Sequence, residues 1–198
     1  MSHPIQCSCG AVKGNLSNTR DINRCVCYCR DCQAFAHFLG RQTDILDSRG
    51  GSDIVQTLPK YVSFSAGTEH LACMRLTDKG LLRWYASCCN TPIGNTAPNF
   101  SMSFVGLVHN CLEAGGASMD AVFGPVSAHV NTENARGGVR VKSKGFAKTL
   151  LKVLGMVARA RIDGSYRKTP FFNVEKGMPI VTPTILNAQE RLQLMDGL

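Results

Sequence analysis

Residues 24–33, RCVCYCRDCQ, place four cysteines within eight positions. A chain with that stretch must fold so that the thiols are buried, paired, redox-active or bound to metal. Cys27, Cys29 and Cys32 have C-x-C-x-x-C spacing. Two thiolates with two residues between them at the start of a helix can point to one centre, and a third on the incoming strand can approach it from the side. Zn²⁺ takes thiolates at about 2.3 Å in a tetrahedron, and three protein ligands leave one position open for chemistry. A helix N-terminus also stabilises thiolates as anions, which favours metal binding.

Two further clusters exist, Cys7 with Cys9 in CSCG and the adjacent Cys88 and Cys89 in SCCNTPIG. Two ligands from each complete a four-cysteine site that staples the first strand to a distant one, with a binding free energy that is also folding free energy. A redox pair at Cys29 and Cys32 is the main competitor for the middle motif, but the βαβ context of thioredoxin-like motifs is absent. Cys73 and Cys111 read as small buried hydrophobes; Cys25 could be a spare ligand, with burial the favoured reading.

This thiol chemistry requires a reducing compartment. The N-terminus MSHPIQCSCG lacks the charged-then-apolar layout of a secretory signal, so the expected location is cytoplasmic. No apolar run approaches the roughly 20 residues that a membrane span needs. The net charge of +8 is unevenly placed: residues 1–134 hold ten Lys/Arg and ten Asp/Glu, whereas residues 135–198 hold twelve against four. All ten cysteines lie between Cys7 and Cys111. The expected organisation is a cysteine-rich zinc-binding β domain over 1–134 and a basic, partly helical extension over 135–198 packing on it.

Strand-like runs are CGAVKGNLS, INRCVCYC, DIVQTLPKYVSFSAG, HLACMRLTD and GLLRWYASCC. In INRCVCYC, Ile22, Arg24, Val26 and Tyr28 share one face. CRDCQAFAHFLG turns helical, with Cys32, Phe35, Ala36 and Leu39 at helical spacing and Gly40 as C-cap. NTPIGNTAPN has loop chemistry, SMSFVGLVHN is a strand or a short buried helix, and NTENARGGVRVKSKG is a flexible connector. From Phe146 a helix places Phe146, Leu150, Val153, Leu154 and Val157 on a core-facing stripe, with Lys148, Lys152 and Arg159 opposite. RKTPFFNVEKGMPIVTPT is loop-like, and Asn187 with Glu190 has capping-box spacing for a last helix.

The order CSCG, then CYCRDC, then RWYASCCNTPI resembles the glutathione-dependent formaldehyde-activating enzyme family, which includes centromere protein V. Those proteins show C-x-C-G, then C-x-C-x-x-C after a strand, then F-C-x-x-C-G-[TS]-P-L. The resemblance covers residues 5 to about 100. It implies a mainly β, tent-like zinc-binding fold, α+β overall once the short helices and helical extension are counted. It also implies a structural zinc at Cys7, Cys9 and Cys89 and a catalytic zinc at Cys27, Cys29 and Cys32, hence one or two zinc ions per chain. The implied reaction adds the glutathione thiol to formaldehyde, giving S-(hydroxymethyl)glutathione. This chain departs at the third motif: Ala86 stands where the first cysteine belongs, Cys88 is one residue early, and Asn90 replaces the usual glycine. Adjacent strand residues point to opposite faces, so either a tight turn lets Cys88 and Cys89 share a metal, or Cys88 faces the other site.

Among flanking residues, His37 could approach the metal as base or ligand, although an ordinary helix histidine is the commoner case. Arg30, Asp31 and Gln33 could support the ligands, and Arg83 could pair with a substrate carboxylate. His70, His109 and His129 have no ligand spacing. The basic segment 136–168 is first a solvated helix face. It could also attract nucleic acid, an anionic membrane or an anionic small molecule such as glutathione, though no nucleic-acid-binding motif accompanies it. Two functions follow: a zinc-dependent carbon–sulfur lyase or synthase acting on a thiol–aldehyde adduct, or a non-enzymatic zinc-stabilised module whose basic tail contacts an anionic partner such as nucleic acid.

Overall fold

In the computed structural model, which describes residues 2–112, 116, 118–137 and 141–196, the β-branched and aromatic runs pair into sheets. The first half runs β1 (His3–Gln6), β2 (Lys13–Leu16), β3 (Asn23–Cys27), α1 (Arg30–Phe38), α2 (Gln42–Ile45), β4 (Ser52–Thr57), β5 (Val62–Ala66), β6 (Leu71–Arg75), β7 (Leu82–Ala86), β8 (Thr91–Thr96) and β9 (Val105–Val108). The second runs α3 (Met119–Phe123), β10 (Ala128–Val130), α4 (Phe146–Ile162), β11 (Phe172–Asn173), β12 (Met178–Pro179), β13 (Thr184–Ile185) and α5 (Ala188–Met195). The chain is mainly β with short helices and a C-terminal helix, an α+β arrangement as expected. No described helix is long and apolar enough to cross a membrane.

One sheet has the order β1-β2-β5; the larger one has β10-β3-β4-β9-β8-β7-β6-β13. Its interior pairs are antiparallel, and the edge strands β10 and β13 join in parallel. The core gathers around Trp84, whose indole N–H donates to Thr96 Oγ1 at 3.0 Å and whose ring meets Phe171 with 5.1 Å between centroids. Phe171 and β13 thus tie the later part of the chain to the sheet.

The segment TPIGNT, expected as loop, is instead the fully buried strand β8. Pro92, which has no N–H to donate, sits beside the register shift between Trp84 and Tyr85. Gly94 passes so close to β9 that a Cβ there would lie 2.8 Å from the Gly106 carbonyl oxygen. Turn-type composition therefore marks a bulged, close-packed strand. SMSFVGLVHN resolves to a strand, β9. The loop-like 167–184 stretch contributes the two-residue pair β11–β12 and leads into the edge strand β13.

Helix α1 buries Cys32, Phe35 and Ala36, followed by Leu39, and ends at Gly40 with φ 66°, as its spacing predicts. Helix α5 carries the expected capping box: Asn187 Oδ1 accepts from Gln189 and Glu190 N–H, and Asn187 N–H donates to Glu190 Oε2. Helix α4 forms where expected but is rotated. Its buried residues are Thr149, Met156 and Ala160, whereas Phe146, Leu150 and Leu154 of the expected core stripe are exposed. Met156 and Ala160 pack on Leu58 and Tyr61, and the Lys152 ammonium turns inward onto the Ile22 carbonyl. The small side chains permit close approach, and that approach, not the larger residues' pattern, sets the helix face. Residues 138–140 of the connector lie outside the described residues.

Candidate metal centres

All ten cysteines carry free thiols, and seven of them converge in two groups. The first group is Cys7, Cys9, Cys88 and Cys89, with all four sulfurs within 4.8 Å of one another. After β1 the chain turns at Gly10, φ 78°, with Gly10 N–H donating to the Cys7 carbonyl at 2.9 Å and Val12 N–H donating to Cys7 Sγ at 3.2 Å. After β7 it turns again: Cys89 N–H donates to the Ala86 carbonyl, and Asn90 takes the left-handed conformation, φ 53°. That turn removes the strand alternation that would have separated Cys88 from Cys89. Cys88 therefore joins the first group, and Ala86, fully buried at the end of β7, contributes no ligand.

The sulfur spacings fit a metal. A tetrahedron with bonds of about 2.3 Å has S···S edges of about 3.8 Å. The separations are 3.5 Å for Cys7–Cys9, 3.9 Å for Cys7–Cys88, 3.3 Å for Cys9–Cys88 and 3.8 Å for Cys88–Cys89. They are far above the roughly 2.05 Å of a disulfide. Thr91 Oγ1 lies 3.1 Å from Cys89 Sγ and accepts from Ser8 N–H, and the Arg41 guanidinium donates to the Cys89 carbonyl at 3.2 Å. Burial acts to raise the Cys89 thiol, but bonds from Ser8, Thr91 and Cys9 outweigh it and bring the pKa down to about 5. Burial raises Cys7, and desolvation with the neighbouring thiols raises Cys88. A lowered Cys89 beside raised Cys7 and Cys88 makes metal binding at this group release protons.

The second group is Cys27, Cys29 and Cys32, again within 4.8 Å, and it includes no fourth His, Cys, Asp or Glu among the described residues. Cys27 ends β3. Cys29 is the N-cap of α1, extended at ψ 146°, and its sulfur accepts from Cys32 N–H at 3.4 Å. Asn131 Nδ2 donates to Cys27 Sγ at 3.3 Å, and Arg83 Nη1 lies 3.9 Å from Cys32 Sγ. Hydrogen bonds from Cys27 and Cys29, then the Arg83 charge, hold Cys32 well below the ordinary thiol value despite its burial. The bonds with Cys27 and Cys32 push Cys29 up. For Cys27, the bond with Cys29 acts downward, while the bond with Cys32 and burial prevail and raise it to about 12.

A family described as a family of unknown function (DUF6151) matches residues 1–182. The chain belongs to this family. The match spans both cysteine groups and α4. No curated protein matches. A crystal structure of a Rhodobacter sphaeroides protein, a structural-genomics target, aligns at 20% identity with a TM-score of 0.38, covering 61% of this chain and 94% of that one.

Of the flanking residues, Gln33 supports the middle group most directly. Its Nε2 donates to the Tyr28 and Asn134 carbonyls at 2.9 and 3.0 Å, and its Oε1 accepts from Arg136 Nε at 2.9 Å, which pins the turn between Cys27 and Cys32. Arg83, only 2% exposed, is turned to Cys32, Asn95 Oδ1 at 3.1 Å and Asp31 at 3.6 Å rather than out to solvent. His37 Nε2 accepts from Arg136 Nη2 at 3.3 Å and is outside the sulfur group. Arg30 reaches the Met195 carbonyl of α5. Cys25 is buried beside Cys27 and Cys32 but outside both groups, its thiol raised to about 12 by burial. Cys73 and Cys111 are core residues, as expected. Sequence reasoning missed Asn131, Asn134 and Arg136, all within a segment read as connector. The short polar run NTEN ahead of the glycines was their signal, since such residues readily adopt turns that aim side chains inward.

Proposed function

We propose that both groups bind zinc and that they serve different purposes. The four-sulfur group is a closed structural site. The three-sulfur group is an open site for a zinc-dependent carbon–sulfur lyase or synthase of the S-(hydroxymethyl)glutathione type. One observation carries this reading: three thiols converge at a strand-to-helix junction with no fourth protein ligand among the described residues. The motif resemblance to the formaldehyde-activating family supports the same assignment. Its substrate would be a small-molecule thiol such as glutathione, or its adduct with an aldehyde. A reduced, cytoplasmic setting suits ten free thiols.

Zinc in the middle group would hold an incoming thiol as thiolate or polarise a carbonyl. The reaction forms one C–S bond and converts C=O to C–O–H, with the thiol proton ending on that oxygen; nothing is oxidised or reduced. The chain's own part is charge and position. Three thiolates and a divalent cation carry one net negative charge, which Arg83 offsets from its buried position. Asn131 and Gln33 fix the ligand loop so that little reorganisation accompanies binding.

Elemental analysis of the purified chain should return two zinc ions. The triple variant Cys27→Ser/Cys29→Ser/Cys32→Ser should retain one and lose acceleration of glutathione–formaldehyde exchange measured by NMR. A metal-free wild type, or unchanged zinc content in that variant, would refute the metal assignment. Full zinc occupancy without glutathione binding, alongside salt-sensitive nucleic-acid binding, would favour the non-enzymatic module instead.

A further inference from the structure

Helix α4 presents an apolar face that nothing among the described residues covers. Phe146, Leu150, Leu151, Leu154 and Ile162 are all exposed, Leu151 at 69% and Ile162 at 88%. At about 100° per residue they occupy one arc of roughly 160°. The edge of the helix that touches the body is separate: Thr149, Met156 and Ala160 are buried, with Val153 partly so, and this edge lies on Leu58, Tyr61 and Tyr166. Lys148 and Arg159 follow the apolar arc around the helix, Arg159 also 4.0 Å from Asp21; Lys152 beside them is turned onto the Ile22 carbonyl, and Arg161 lies within the arc, 4.6 Å over the Tyr166 ring. Residues 135–162 contain eight Lys/Arg and no Asp/Glu. The Lys148 and Lys152 border continues into a surface hollow of about 290 Å³ that also includes Arg20.

We propose that α4 docks this protein onto an anionic lipid bilayer. An interfacial helix joins an apolar face, which enters the headgroup boundary, to a cationic border, which meets anionic headgroups. The charge pattern selects this occupant. A second copy meeting the same face would bring two acid-free cationic helices together. Nucleic acid would satisfy the cations but leave five large apolar side chains uncovered. At 17 residues the helix lies along the surface, and no described helix is long and apolar enough to cross. Anchoring of α4 through Met156, Ala160 and the Lys152–Ile22 contact holds the apolar arc outward without unfolding the body. This docking is independent of either metal centre.

The test is co-sedimentation of the full chain with vesicles of phosphatidylcholine containing about 30% phosphatidylserine, compared with phosphatidylcholine alone. Partitioning should be at least about tenfold stronger on the anionic vesicles and should weaken with salt. Leu151→Glu/Leu154→Glu should abolish it, and Lys148→Gln/Arg159→Gln should weaken it by about tenfold or more. These positions are exposed, and circular dichroism of each variant confirms retained folding. Failure of the wild type to sediment with anionic vesicles overturns the proposal without reference to any variant. Equal binding to both vesicle types, or unchanged binding by the leucine variant, also overturns it. A dimer in solution that the leucine variant dissociates would assign the face to self-association instead.

Discussion

Replacing Arg83 by methionine isolates what its charge does, because methionine keeps much of the unbranched side-chain volume. In the native chain the guanidinium is 2% exposed, lies over the Phe35 ring at 5.5 Å, donates to Asn95 at 3.1 Å and faces Cys32 Sγ at 3.9 Å. Three consequences follow from removing it. Asn95 Oδ1 is buried and loses its donor, which costs about 1–3 kcal/mol of stability. Asp31, 48% exposed, returns to water at little cost, since an ion pair so exposed contributes no more than about 1 kcal/mol. Cys32 loses the positive charge that supports its thiolate, so its pKa rises and the middle group binds zinc more weakly. Loss of such a supporting contact typically lowers metal affinity by about 10–100-fold, or about 1.4–2.7 kcal/mol. Competition with a chromophoric chelator should therefore resolve two classes of zinc, with only the weaker class shifting in the variant. An unchanged middle-site affinity, or an equal loss at both sites, would refute the role assigned to Arg83.

Three other outcomes are expected. Gly155→Ala should stabilise the protein by about 0.5–1 kcal/mol, because glycine is costly within a helix and a Cβ there meets nothing within 4 Å; thermal unfolding reads the gain. Zinc affinity of the middle group should fall steeply with decreasing pH, since Cys27 and Cys29 have raised pKa values and must release protons on binding; a flat profile from pH 8 to 6 in chelator competition would contradict the site. Asn90→Gly should leave the zinc affinity of the four-sulfur group unchanged, whereas Asn90→Val should weaken it by about 5–30-fold, because a β-branched residue resists φ 53° at a cost of about 1–2 kcal/mol; chelator competition separates the two.

Spacing made the segments that carry the two sulfur groups legible. C-x-C-x-x-C at the entry to an amphipathic helix reports its own geometry, and Asn187 with Glu190 does the same for α5. Features decided by distant packing were not legible. Pro92 and Gly94 read as loop residues because their compatibility with a strand depends on the bulge of β8 against β7 and a close approach by β9. The orientation of α4 depends on small residues fitting against Leu58 and Tyr61, which an apolar stripe cannot report. The pairing of Cys88 with Cys89 required a left-handed residue, and Asn90, being tolerant of that conformation, was the available sign.

The two centres are mechanically joined. Helix α1 begins at the middle group, with Cys29 as its N-cap, and ends beside the closed group. There the Leu39 carbonyl accepts from Asn90 Nδ2 at 3.3 Å, and Arg41 bonds the Cys89 carbonyl and Thr91. Nine residues of helix span about 14 Å, so one short rigid element fixes the separation of the two sulfur groups. Strand β7 makes a second connection, because Arg83 faces Cys32 while the turn beyond Ala86 presents Cys88 and Cys89. A slip of one residue in β7 would turn Arg83 to the opposite face and displace both distal cysteines. The arrangement gives the closed group a purpose besides its own stability. By locking the end of β7 and the end of α1 together, it holds the open group's ligands and their compensating charge in register. With Ala86 buried at the end of β7, the turn at Asn90 brings Cys88 to the other three sulfurs without moving that register.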